Sequence, residues 1–172
     1  AHQVCGADVK GKSLITESLA NYTAIMVMEK EFGKENTARF LEHEQSNYLK
    51  NRSMVDKKEV PLKVVDDQIY ITYQKGGIAF YTLRSFLGEK KLNNQLSDFI
   101  STYSDKADRY PTSVDLIRHI RKATPDSLAY LVNDLFERIC LFDNRLEHAS
   151  YRINPEGGYD ISFTLLSEKH YA

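Results

Sequence analysis

The chain has 172 residues, 42% of them hydrophobic and 27% charged, the balance of a globular protein with room for a real core. Its net charge of −1 lacks the basic excess that a dedicated nucleic-acid binder shows, so no nucleic-acid partner is expected. No apolar run approaches the length of a membrane span, and the two cysteines, Cys5 and Cys140, have neither a disulfide-framework nor a metal-type spacing, leaving a single bridge open.

Residues 13–32 predict a helix in which Leu14, Leu19, Tyr22, Ile25 and Met26 recur near a 3.6 period, capped by Ser13 and ended by Gly33. A second, more polar helix follows at 35–52. Residues 53–72 break the period: Pro61 and Asp66-Asp67 mark loop, and Gln68-Ile-Tyr-Ile-Thr72 reads as extended. Helices are then expected at about 74–87, closed by Gly88, and at 89–103, with the stripe Leu92, Leu96, Phe99, Ile100 and Tyr103. Pro111-Thr-Ser113 opens a shorter one holding Val114, Ile117 and Ile120. A last helix starts after Thr124-Pro125 and lines Leu128, Leu131, Val132, Leu135, Phe136 and Ile139 on one face.

After Asp143-Asn144 the period changes to alternation. Glu147/Ala149/Tyr151/Ile153 and Tyr159/Ile161/Phe163/Leu165 read as two strands, joined by the turn Asn154-Pro-Glu-Gly-Gly158, giving a hairpin over about 145–168. The expected fold class is mainly α, with a helical part at 1–142 and a β-hairpin, or the start of a small β-domain, at 143–172. Ala1-His2-Gln3 carries no methionine, and the chain stops where a strand pattern ends, so both ends look cut from a longer protein.

Several tempting motifs fail. His43-Glu44-Gln-Ser-Asn47 begins like H-E-x-x-H, but Asn47 replaces the second histidine that a metal would need one turn away, which leaves a solvated helix face. Gly76-Gly77 lies in no phosphate-loop pattern. Two segments are more informative. Glu17 sits among Leu14, Ile15 and Leu19, where a carboxylate is costly unless it is paired or binds a cation; a capping or salt-bridging glutamate is the bland alternative. Tyr73, in Ile71-Thr-Tyr-Gln-Lys-Gly-Gly77, otherwise reads as a half-buried tyrosine where a helix begins.

Thr16-Glu17-Ser18-Leu19-Ala20-Asn21-Tyr22 and Tyr73-Gln74-Lys75-Gly76, in this order, resemble the thermolysin-like zinc aminopeptidases of the membrane alanyl aminopeptidase family, and within it a bacterial subgroup fused to transporter-permease-like membrane segments. The run from Tyr110 to Tyr151 is similar to the helical part and following β-region of that subgroup. The resemblance implies that Glu17 is the third zinc ligand and that Tyr73 stabilises the tetrahedral intermediate. It implies a peptide substrate, membrane attachment through segments outside this chain, and an extracytoplasmic peptidase domain.

The departure is upstream. The family's H-E-x-x-H helix, with two zinc ligands and the general base, precedes the third ligand by about twenty residues, and only sixteen residues precede Glu17. His2 is too close to take that role. The chain therefore resembles the C-terminal helical part of a peptidase domain, cut after its zinc helix: zinc belongs to the intact protein and none is expected in this chain alone, which is expected to be inactive. An alternative is a non-catalytic helical peptide- or protein-binding module that kept the fold and lost the chemistry. In an assembled site the Glu17 and Tyr73 side chains should stand roughly 5–9 Å apart, with a looser approach in this chain.

Overall fold

The structure, a computed structural model, describes residues 4–6, 8–104 and 109–172. The chain is mainly helical and ends in a two-stranded antiparallel hairpin, and it divides into two compact units, residues 1–138 and 139–172. In the first unit a π-turn at Leu14–Ser18 leads into α1 (Leu19–Met54). A 3-10 turn (Leu62–Val64) and a second π-turn (Ile71–Lys75) lead into α2 (Gly76–Leu87), followed by α3 (Glu89–Tyr103) and α4 (Ser113–Ala123). A 3-10 turn (Asp126–Leu128), the single turn α5 (Ala129–Val132) and a third π-turn (Asn133–Glu137) close the unit. No helix of the described residues is long and apolar enough to cross a membrane.

α1 is two helical halves meeting at Gly33, whose φ of 81° and ψ of 167° lie in a region that only glycine enters without strain. The break turns the helix back on itself. Asn21 and Asn51 would stand about 45 Å apart on a straight helix, yet their side chains bond the adjacent residues Tyr73 and Gln74. The stop expected at Gly33, with a second helix after it, is thus a fold-back point.

α2 supplies the middle of the core. Phe80 is fully buried, its ring 5.7 Å from Tyr22 of α1 and 5.0 Å from Phe136 of the third π-turn. Leu83, Leu92, Phe99, Leu116 and Ile120 extend the same cluster, so the apolar stripes of α2, α3 and α4 share one core. α4 begins with a capping box in which Thr112 and Asp115 satisfy each other's backbone N–H groups.

Three expectations within this unit need correction. Gln68–Thr72 is not extended. Its Ile–Tyr–Ile alternation suggested a strand, but Ile69 is exposed while Tyr70, Ile71 and Thr72 are buried in succession, and the Gln68 carbonyl accepts the N–H groups of Ile71 and Thr72 as a helical turn begins. Ser13 does not cap the first helix with its side chain; its hydroxyl donates to the Asp66 carbonyl at 2.9 Å. The helix expected after Pro125 is broken into a 3-10 turn, one α-turn and a π-turn, although Leu131, Val132, Phe136 and Ile139 are buried as its stripe required.

In the second unit β1 (Cys140–Ile153) pairs antiparallel with β2 (Tyr159–Tyr171). β1 starts before Asp143-Asn144 because that polar pair sits within the ladder, opposite Glu168 and Ser167. The turn is held by Asn154, whose Oδ1 accepts the N–H groups of Glu156 and Gly158 at 3.2 and 2.8 Å. Alternation placed Glu147 on the apolar side. A bulge between Leu146 and His148 removes it from pairing and puts Leu146 opposite Leu165, on the face of Ala149, Tyr151, Ile153, Tyr159, Ile161 and Phe163. From Leu146 and Leu165 to the turn that face is apolar, and its large side chains are exposed. The opposite face carries Arg145, His148, Arg152 and Asp160.

Candidate functional site

Glu17 and Tyr73 each lie on one of the first two π-turns, the widened helical geometry often found where a side chain must be re-aimed. The two turns pack against each other, and the Tyr73 hydroxyl donates a hydrogen bond to the Glu17 carboxylate across 56 positions of sequence. The pair is therefore in direct contact, closer than the 5–9 Å separation and opposite to the looser approach expected. The reason is chemical: a half-buried carboxylate needs a hydrogen-bond donor, and the phenol supplies one. Glu17 is half-buried, so the requirement that it be paired is met. Tyr73 is 42% exposed, and its proton is held by the Glu17 carboxylate, which raises the phenol above its ordinary value.

Sequence reasoning missed what fixes this contact. Ser18, buried beside Glu17, donates to the Thr72 carbonyl at 2.7 Å, and Asn21, one turn on, donates to the Tyr73 carbonyl at 2.7 Å. Both bonds run from the helix carrying Glu17 to the backbone of the turn carrying Tyr73. The two helices can approach so closely because Gly76 and Gly77 face them. A Cβ on Gly76 would lie 2.1 Å from the Ser18 hydroxyl, and one on Gly77 would lie 2.6 Å from the Asn21 amide nitrogen. The signal was present: a glycine pair opening a helix, and polar residues at 17, 18 and 21 on one side of another.

On its far side the Tyr73 turn meets the returning half of α1. Asn51 donates to the Gln74 side chain at 3.2 Å. Lys75 donates to Glu59 at 2.5 Å, and the same carboxylate accepts from Tyr48 and from Arg52 at 2.6 Å. Burial pushes the Glu59 carboxyl up, but the bonds from Lys75, Tyr48 and Arg52 outweigh it and hold the group below its ordinary value. Glu59 was not singled out from the sequence, because a glutamate in a loop carries no periodic signal.

Peptidase-type zinc takes three protein ligands and leaves a position for water. Glu17 supplies one carboxylate. Among the described residues the trio of potential ligands whose atoms converge within 4.8 Å is Asp143, Glu168 and His170 on the hairpin, not a group around Glu17. The described residues therefore do not by themselves fit a zinc ion at Glu17. The hairpin trio is largely exposed, and Asp143 is engaged by Arg145. His43 and Asn47 bond each other at 2.9 Å on an exposed helix face, as the failed zinc motif implied. Neither Cys5 nor Cys140 is in a disulfide. No protein family, no curated protein and no solved structure matches the chain.

Proposed function

We propose that this chain is part of a zinc-dependent metallopeptidase, an aminopeptidase by resemblance, to which it contributes Glu17 as a metal ligand and Tyr73 as the donor to the oxyanion. One observation supports the reading: the two residues that the resemblance pairs, far apart in sequence, meet side chain to side chain. On this reading the two histidine ligands and the general base come from residues outside this chain. The substrate is a peptide, and membrane attachment lies in other segments of the protein. The Tyr73 hydroxyl, now given to Glu17, is half-exposed and held on a turn bonded on both sides. That is how a preorganised donor is presented to a developing negative charge.

The test is made in a polypeptide that joins this chain to an H-E-x-x-H helix of its parent protein. Glu17→Ala should strip or sharply weaken bound zinc. Tyr73→Phe should keep the zinc and lower aminoacyl-anilide turnover by roughly a hundredfold or more. Equal zinc loss in both variants would show that the roles are misassigned. The 172-residue chain alone should hydrolyse no aminoacyl substrate with or without added zinc; zinc-dependent turnover by a pure preparation overturns that expectation. A second reading, a non-catalytic binding module that kept the fold, is favoured by the same hydrogen bond, since Glu17 and Tyr73 satisfy each other without a metal. A parent protein that holds no zinc with Glu17 intact would select it.

A further inference from the structure

We infer that Glu59 and Lys75 are positioning residues for Tyr73: the buried Glu59 carboxylate, anchored on the returning half of α1, grips Lys75 and so fixes the π-turn that presents the Tyr73 hydroxyl to Glu17. The inference concerns the placement of that hydroxyl. It rests on the peptidase reading only for its use in a reaction.

The geometry runs in one direction. The side chain of Glu59 is 4% exposed, and its two oxygens receive Tyr48, Arg52 and Lys75. Tyr48 and Arg52 are one helical turn apart on α1, so two of the three donors belong to a rigid element and share a face of it. Lys75 is the third, and it is the last residue of the π-turn Ile71–Lys75. Its ammonium, 17% exposed, also lies over the Tyr48 ring at 5.7 Å from the centroid. Tyr73 stands two residues before Lys75, on a turn bonded to Ser18 and Asn21 on one side and to Asn51 on the other. Gly33 is what brings both halves of α1 to the same five-residue turn.

A π-turn is an uncommon form of helix. Left to the 3.6 period, the segment would rewind and rotate Tyr73 away from its present bearing by a large fraction of a residue's turn. The Thr72 and Tyr73 carbonyls are tied to Ser18 and Asn21, which fixes the backbone at the centre of the turn. The Lys75–Glu59 bond fixes its end. A desolvated carboxylate holding three donors is expensive to rearrange, which suits it to that role better than an exposed pair, which adds little.

The test is a double-mutant cycle between Glu17→Gln and Tyr73→Phe, measured by urea unfolding of the 172-residue chain and repeated in altered backgrounds. In the unaltered chain the pair should be coupled by roughly fivefold or more in the unfolding equilibrium constant. In a Lys75→Met background, which leaves Glu59 its two bonds to α1, the coupling should fall to near one. Lys75→Arg, which keeps a cation at the same reach, should restore it. Arg84→Met is the control, since it breaks an ion pair of similar burial with Glu29 elsewhere on α1 and α2. It should cost stability without changing the coupling. If Lys75→Met does not fold, Glu59→Gln carries the same measurement.

Coupling that survives Lys75→Met or Glu59→Gln, coupling absent from the unaltered chain, or equal loss of coupling in Arg84→Met would each overturn the inference. The cycle needs neither zinc nor peptide. Failure of the peptidase reading therefore shows only in the zinc content and turnover of the longer polypeptide, and failure of this inference shows only here.

Discussion

The two units solve the problem of apolar surface in opposite ways. In the helical unit the stripes of α1, α2, α3 and α4 converge until Tyr22, Phe80, Phe99 and Phe136 are almost wholly removed from water. In the hairpin unit the half nearest the turn is sorted as well, with a bulge inserted so that Leu146 joins Tyr151, Ile161 and Phe163, yet these side chains remain more than half exposed. Helices bury one face by packing on other helices, whereas a two-stranded sheet has no second layer and is marginal by itself. Patterning alone therefore does not make a core; a partner layer does.

The largest expected effect that sharpens this contrast is at Phe80. Phe80→Ala removes a ring packed between Tyr22 and Phe136 and should cost about 3–5 kcal/mol in urea unfolding. A loss as small as that of an exposed residue would show that the helical core is not packed as described.

Acid should separate the units next. Glu29 is held down to about 2, first by the hydrogen bond from Arg84 and then by that from Tyr81. A carboxyl depressed in the folded state adds stability that is fully present above its unfolded value near 4.5 and is lost as pH falls toward 2. The helical unit should therefore weaken by on the order of 2 kcal/mol across that window. Asp115, held low first by the hydrogen bond from Arg109, loses its contribution in the same direction. The Arg152–Asp160 pair of the hairpin is exposed, so hairpin signals followed by nuclear magnetic resonance should show no matching loss. Arg84→Met should flatten the acid limb; an unchanged limb would contradict the assignment to Glu29.

Gly33→Ala forces a Cβ into a backbone region closed to other residues and should cost about 1–3 kcal/mol by thermal unfolding, with no steric contact to blame, since nothing lies within 4 Å. The smallest effect should be on the hairpin: Phe163→Ser should change stability by less than about 0.5 kcal/mol while raising solubility at high concentration. A cost near that of Phe80→Ala would mean that the apolar face is covered after all.

Much of the helical unit could be read from residues. The stripe Leu92, Leu96, Phe99 and Tyr103 follows a 3.6 period, and Gly88, with φ 86°, ends α2 where a glycine stop was expected. Pattern failed where two periods fit the same short run. Gln68–Thr72 alternates like a strand but is wound into a helix by the bonds its Gln68 carbonyl accepts, and those depend on Gln68 being held by Lys58 and Val60. Within the candidate site Glu17 could be singled out as a carboxylate among apolar neighbours, and Tyr73 only through the resemblance that Tyr73-Gln74-Lys75-Gly76 carries. Glu59 could not, since its importance lies wholly in which three donors reach it.

The division has a physical cause. Periodicity, capping and turn chemistry act within a few residues, so the sequence by itself determined a mainly helical chain ending in a hairpin, and the face each element would present. Contacts between residues far apart depend on where the chain folds back. The glycine break at Gly33, the close approach at Gly76-Gly77 and the bulge at Leu146 are small local events with long reach. Only the tertiary structure decided that Tyr73 meets Glu17, because that meeting needs both halves of one helix to close on a single π-turn.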